Sequence, residues 1–242
     1  MALASEAQHH TRRNCGMTRL YLDIETIPAQ SQDVRDRIAQ SVKPPAAMKK
    51  AETIEAWERD QKPEAVKEAI SRTALNGAYG HICCIGWAID DAAAQTVSIH
   101  HADDEIDILV NFFDLVSKEG RKTRLFMQPV GHNVINFDLR FIWQRSIALG
   151  VRAPVWLPRD PKPWGGEAFD TMTAWAGARD TISMDNLCAA LGLPGKGDID
   201  GSMVGQLFDE GRHEEIAEYC RADVERTRAI HRKMMLTFGE AA

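Results

Sequence analysis

The stretch Arg19-Leu20-Tyr21-Leu22-Asp23-Ile24-Glu25 decides how the rest of this chain is read. Leu20, Leu22 and Ile24 alternate with Tyr21, Asp23 and Glu25, which predicts a strand, because successive side chains of a strand leave on opposite faces. Asp23 and Glu25 therefore project from the same side. Two like charges held that close in a core strand are costly unless a cation compensates them or one carboxyl stays protonated. A divalent metal is the economical explanation; a solvent-facing acidic strand edge is the ordinary one.

Outward from that strand the chain changes character. Residues 1–16 contain His9, His10, Arg12 and Arg13 but no hydrophobic stretch of the kind a secretory signal requires, so they read as a flexible tail, and Met17 would serve as a natural start. Residues 28–76 are rich in Lys, Glu, Gln and Ala, with Pro44-Pro45 and Pro63 as punctuation, and predict short helices and loops inserted after the first strand. Ile54 with Trp57, and Val66 with Ala69 and Ile70, form narrow apolar stripes that must pack on something, either as a solvated embellishment or as a substrate clamp. Residues 81–90 and 96–101 predict two strands joined by a turn, 125–131 a strand and 168–172 a short one. Residues 104–118, 137–149, 184–191 and 212–235 predict helices, the last the longest. Strands alternating with helices indicate an α/β domain over residues 17–242 with a mixed sheet.

At 242 residues, with 44% hydrophobic and 26% charged residues, the chain can bury a substantial core but leaves no room for a large multidomain machine. Its apolar runs fall short of the roughly 20 residues of a membrane span. The net charge of −6 argues against a surface that grips phosphates everywhere, though not against an enzyme that concentrates acids in one metal site. Five cysteines without CxxC spacing read as reduced, mostly buried thiols of a cytoplasmic protein.

Two further acids sit at informative places. Asp138 opens the helix that follows Gly131-His132-Asn133, and Phe141 and Ile142 lie over the same face, which turns its carboxylate toward the core side. Tyr219 and Asp223 lie one turn apart on the terminal helix, whose buried stripe of Ile216, Cys220, Val224, Thr227 and Ile230 places Asp223 beside apolar neighbours. Each acid alone has a plain reading, as a dipole-stabilising helix start or as a buried acid paired with an Arg.

In order, Leu22-Asp23-Ile24-Glu25-Thr26, Asn133-Val134-Ile135-Asn136-Phe137-Asp138 and Tyr219-Cys220-Arg221-Ala222-Asp223 resemble the three exonuclease motifs of the DEDD superfamily of 3′→5′ exonucleases, nearest the proofreading-exonuclease-like group related to family B DNA polymerases. Tyr stands four residues before the last Asp, and Glu218 stands where the histidine branch has His, so the resemblance is to the tyrosine (DEDDy) branch. It implies a ribonuclease H-like fold and two Mg²⁺ or Mn²⁺ ions held by Asp23, Glu25, Asp138 and Asp223, in keeping with the preference of hard cations for carboxylate oxygens. By the same resemblance Asp23 bridges the ions, Glu25 and Asp223 hold the one that binds the attacking water, Asp138 helps hold the second, and Tyr219 orients the water. Thr26 and Ile27 would lie against the terminal nucleotide, and Asn133 and Phe137 would shape the pocket.

The expected activity is removal of nucleoside monophosphates from 3′ ends of single-stranded DNA, with an exoribonuclease and a non-catalytic nucleic-acid-binding module as alternatives. Arg145, Arg152, Arg159 and Lys162, interspersed with Trp156 and Trp164, could contact phosphates and stack bases, a pattern that loop composition also produces. Lys43, Lys49, Lys50, Lys62 and Lys67 of the insertion could attract the strand, and are equally ordinary on a solvated surface.

Overall fold

Thr18–Ile27 forms β1, the middle strand of the computed structural model, which describes residues 17–123, 126–195 and 197–239. The tail expected over residues 1–16 lies outside the described residues. β1 runs antiparallel to β2 (His81–Ile89), which pairs with β3 (Gln95–Ser98); on its other side β1 runs parallel to β4 (Met127–Gly131), which pairs with β5 (Phe169–Asp170). The sheet order is β3-β2-β1-β4-β5, the mixed arrangement the sequence predicts.

Three helices follow β1 directly: α1 (Gln32–Ser41), α2 (Ala51–Asp60) and α3 (Lys62–Ser71), closed by a 3₁₀ turn at Arg72–Leu75. α4 (Glu105–Thr123), α5 (Asp138–Leu149), α6 (Thr171–Ala176), α7 (Met184–Leu191), α8 (Val204–Asp209) and α9 (His213–Phe238) complete the described helices. None of these is long and apolar enough to cross a membrane. The strand expected at 168–172 is only two residues long, because the Asp170 carboxylate accepts the N–H groups of Met172 and Thr173 and starts α6 at Thr171.

The alternation read in β1 sets the layers. Leu20, Leu22 and Ile24 enter the main core with Ile108, Leu109 and Phe112 of α4 and Leu139 and Ile142 of α5. Tyr21, on the opposite face, packs with Val224 of α9. Cys83, Cys84, Cys188 and Cys220 are buried and not in disulfides.

A buried charge cluster locks β2, α4 and α5 together. Glu105 Oε1 accepts hydrogen bonds from Arg145 Nε (2.9 Å) and the Ile82 N–H (2.8 Å), and its Oε2 accepts one from Arg145 Nη2 (2.7 Å) and lies 2.9 Å from His81 Nδ1. Arg145 Nη1 also donates to the Gly77 carbonyl, anchoring the end of the inserted segment. Burial disfavours the Glu105 charge, but the bonds from His81, Arg145 and Ile82 outweigh it and hold the carboxyl below its ordinary value of 4.5. Removing one partner of such a pair leaves an uncompensated buried charge, so Arg145→Ala should cost about 3–5 kcal/mol of stability. Because the folded carboxyl titrates low, this contribution is complete above pH 4.5 and is lost as the pH falls through the folded value. Urea unfolding of the variant at pH 7 checks the magnitude; a loss under about 1 kcal/mol would reduce the cluster to the standing of a surface ion pair.

Candidate active site

The acids gather at the carboxyl-terminal ends of the parallel strands β1 and β4, Asp23 and Glu25 on β1 itself, at the edge of the sheet where α/β folds place their ligands. Gly86 of β2 lies opposite Asp23 of β1, and a Cβ there would come within 2.8 Å of Cys220 Sγ and 3.0 Å of Val224 Cγ2. The missing side chain lets α9 close on the sheet, and with it Tyr219 and Asp223 close on Asp23. Ligand atoms of Asp23, Glu25 and Cys220 lie within 4.8 Å of one another. The ladder shifts register between Glu25 and Thr26, so Cys83 is an extra residue on β2, the kind of bulge that aims side chains beside functional sites.

Asp138 reaches the same place from the other side. β4 pairs with β1 only as far as Tyr21, and beyond it the first residue of α5 takes over, its carboxylate accepting the Ile24 N–H at 3.0 Å. Ile24 is the residue between the two acids of β1, so Asp138 is fixed to their backbone. The segment that delivers Asp138 is itself held by Asp170, whose two carboxylate oxygens accept the N–H groups of Asn133 (3.0 Å) and Ile135 (3.1 Å) in addition to those that start α6. Asn133 adopts a left-handed backbone, φ +64°, which Asn tolerates better than most residues.

The electrostatics are those of crowded carboxylates. Burial, followed by the charges of Glu25, Asp138 and Asp223, holds the Asp23 carboxyl well above the usual range. Burial pushes Asp138 up to about 7 against the lowering effect of the backbone N–H bonds, with Asp170 and Asp223 pushing the same way as burial. Asp23 Oδ2 is buried without a hydrogen-bond partner. Asp223 is ion-paired with Arg226, one turn along α9. The buried Tyr219 hydroxyl is raised far above its ordinary value by desolvation and by Asp223, Glu25 and Asp23, and it hydrogen-bonds Asp223, so it stays protonated. Cys220 is likewise held as a thiol by its burial and directed toward the Asp23 carbonyl, which leaves the carboxylates as the donors suited to a hard divalent ion.

The five residues expected to do chemistry, Asp23, Glu25, Asp138, Tyr219 and Asp223, thus converge on one place. Of the four expected to touch a nucleotide, Thr26 borders a large cavity and Phe137 a smaller one, while Asn133 is half-buried in its turn. Ile27 requires a correction: it is 0% exposed, paired with His81 and enclosed in the core, so it offers no surface to a nucleotide. The basic and aromatic series after α5 also reads differently in the fold. Arg145 is the buried partner of Glu105, Arg159 lies over the Trp143 ring, and Trp156 packs edge-on against Phe112 and Phe113 while its Nε1 donates to Ser117. Trp156 also lines a cavity of about 530 Å³ with Met17 and Met127, at the opposite end of β1 from the acids. Asp170 and Gly86 are the positioning residues that sequence reasoning missed. The Phe169-Asp170-Thr171 run could have pointed to a helix start, but the bonds to Asn133 and Ile135 carried no local signal.

The raised carboxyls make a signed prediction. Ionising Asp138 in the fold is opposed, so stability present below its ordinary value of 3.8 is lost as the pH rises through about 7. In chelator, the melting temperature at pH 8 should fall more than about 3 °C below that at pH 5.5, a shift that about 1 kcal/mol produces in a chain of this size. Saturating Mn²⁺ should close that gap. Equal melting temperatures under all three conditions would show that the acids do not repel.

The chain spans 25% of the length of the family B DNA polymerase from the hyperthermophilic archaeon Pyrobaculum calidifontis, whose structure it resembles over 92% of its own residues with a TM-score of 0.55 and 13% identity. That likeness is one of fold, the ribonuclease H-like α/β arrangement of a polymerase exonuclease domain. No curated protein matches the chain in sequence. Residues 75–241 match the family described as predicted 3′-5′ exonucleases related to the exonuclease domain of PolB. That match takes in Asp138, Tyr219 and Asp223, and the fold brings Asp23 and Glu25 to them. The chain belongs to this family of predicted 3′-5′ exonucleases related to the exonuclease domain of PolB.

Proposed function

We propose that this protein is a two-metal-ion-dependent 3′→5′ exonuclease that releases nucleoside monophosphates from the 3′ ends of single-stranded DNA. One observation carries the reading: Asp23 presents a buried oxygen without a partner in the midst of Glu25, Asp138 and Asp223, a donor set that suits divalent cations and little else. Asp23 and Glu25 would hold the ions from β1, Asp138 from α5 and Asp223 from α9. Bound there, two divalent ions would supply Lewis acidity toward the phosphoryl group and lower the pKa of water.

The chain's own contribution is position. Asp138 is bound to the Ile24 N–H and Asp23 lies on the same strand, so their separation is set by backbone and not by flexible stems. Tyr219, protonated and hydrogen-bonded to Asp223, is suited to hold a water in place and unsuited to act as a base. Arg226 is ion-paired with Asp223, so a cation at this carboxylate would share it with the guanidinium or displace it.

End-labelled DNA and RNA of one sequence, digested side by side with Mg²⁺ or Mn²⁺, test the reading. Shortening of DNA from the 3′ end, absent in chelator and in Asp23→Asn, is expected; preference for RNA would replace the substrate, and full activity after metal removal would overturn the mechanism. Tyr219→Phe separates orientation from ion binding. Its turnover should fall roughly ten- to thousandfold, corresponding to about 1.4–4 kcal/mol of transition-state stabilisation, with little change in KM. Wild-type turnover across pH would reduce Tyr219 to a packing residue.

A further inference from the structure

The inserted helices build something the acid cluster alone does not explain. A cavity of about 1060 Å³ starts at Thr26, the residue after Glu25, and runs between α1 and α3 on one side and α8 on the other. It exceeds the roughly 300–1,000 Å³ of ordinary small-molecule sites, so it has room for more than the one nucleotide whose bond would be cut. The side of the cavity formed by α1 and α3 lies before residue 75, outside the stretch matched by the exonuclease family.

That wall is fixed, not loosely attached. Thr26 Oγ1 donates to the Ala74 carbonyl at 2.7 Å, the Ala29 N–H to Thr73 Oγ1 at 2.8 Å, and Arg35 Nε to the Ala29 carbonyl at 2.6 Å. On the facing side Gly205 meets Pro28 so closely that a Cβ there would lie 3.0 Å from Pro28 Cδ. The charge in the groove is arranged by side. Arg35 and Lys67 stand on the wall formed by α1 and α3; Lys67 is exposed and pairs loosely with the exposed Glu64 at 4.0 Å. Asp209 and Glu210 lie at the end of α8, where Glu210 is engaged by Gln206 and Arg212. Between them Leu75, 71% exposed, borders both this groove and the smaller cavity beside Phe137, leaving an apolar surface against which a base can lie. Of the five lysines expected to attract a strand, Lys67 alone lines the groove.

We infer that this groove holds the nucleotides immediately upstream of the 3′ end of a single strand, with Arg35 and Lys67 contacting their phosphates; the inference rests on the exonuclease reading of the neighbouring acids. The groove residues are distinct from those that hold ions, so the inference can be tested without turnover. In the Asp23→Asn background, which spares the oligonucleotide, fluorescence anisotropy with labelled oligothymidylate of 12 residues should show affinity falling at least tenfold on adding Lys67→Glu and Arg35→Glu. The log–log salt slope should drop by about 0.7 for each phosphate no longer neutralised. Lys67→Arg should bind as tightly as the parent with Lys67, and Lys67→Glu alone, on an exposed helix face, guards against misfolding as the cause. With Asp23 intact, the same substitutions should lower kcat/KM on the 12-mer while leaving hydrolysis of the nitrophenyl ester of thymidine 5′-monophosphate unchanged, because that ester fills the acid site only. Unchanged affinity, or equal losses on both substrates, overturns the groove. Binding that weakens as expected in a protein that hydrolyses neither substrate upholds the groove and overturns the exonuclease reading.

Discussion

The approach of α9 to β1 and β2 at Gly86 governs both the core and the site. The same helix surface that buries Cys220 and Val224 presents Tyr219 and Asp223, so the core cannot close without crowding acids around Asp23. Two unit charges 4 Å apart repel by about 4 kcal/mol at an effective dielectric of 20. Burying a large apolar side chain contributes about 1.5–3 kcal/mol, so two or three of the buried residues of α9, such as Ile216, Val224 and Ile230, outweigh one such repulsion. The core can therefore hold the acids in place before any cation arrives, which is what a site of fixed geometry requires.

Buried acids are common enough that burial alone does not separate structural from chemical ones; the count of donors does. Glu105 is satisfied by Arg145, His81 and the Ile82 N–H, and its carboxyl sits below its ordinary value. Asp170 accepts backbone N–H groups from Asn133, Ile135, Met172 and Thr173, which fills its lone pairs with fixed donors. Asp23 lies at the other extreme, with one oxygen buried and unpaired. Asp138 is intermediate, bonded by the backbone N–H groups of Ile24 and of Asp138 itself, with a carboxyl raised to about 7. The saturated acids are architecture, and the under-satisfied ones are where a cation gains most.

What the sequence made legible was local. A two-residue spacing on a strand and a four-residue spacing on a helix carry their own geometry, so Asp23 with Glu25 and Tyr219 with Asp223 could be placed on shared faces before any fold was known. The pairing of Asp170 with the turn at Asn133 joins residues 37 apart and leaves no periodic trace. Arg145 read as a surface cation because its partner Glu105 is 40 residues away. Likeness of motif points Ile27 toward the nucleotide, yet β1 continues through it into the core beyond the register shift between Glu25 and Thr26. α6 and α8, six residues each, are too short for an amphipathic stripe to announce them.

The segments before and after residue 75 contribute different parts of the site. Residues 75–241 supply β2, β4, α5 and α9, a frame that positions Asp138, Tyr219 and Asp223. The segment before it supplies β1 and the helices α1 to α3, and so contributes both the first two acids and one side of the groove that begins at Thr26. Because β1 is the central strand, hydrogen-bonded on both sides, that segment cannot shift relative to the frame without breaking the sheet. The inserted wall is tied to β1 within a few residues of Glu25 by the bonds of Thr26 and Ala29, so the position of the groove relative to the acids is as rigid as the strand itself. A strand entering along that wall would meet the carboxylates at one fixed distance, and the selectivity of the site would then be set as much by the insertion as by the acids.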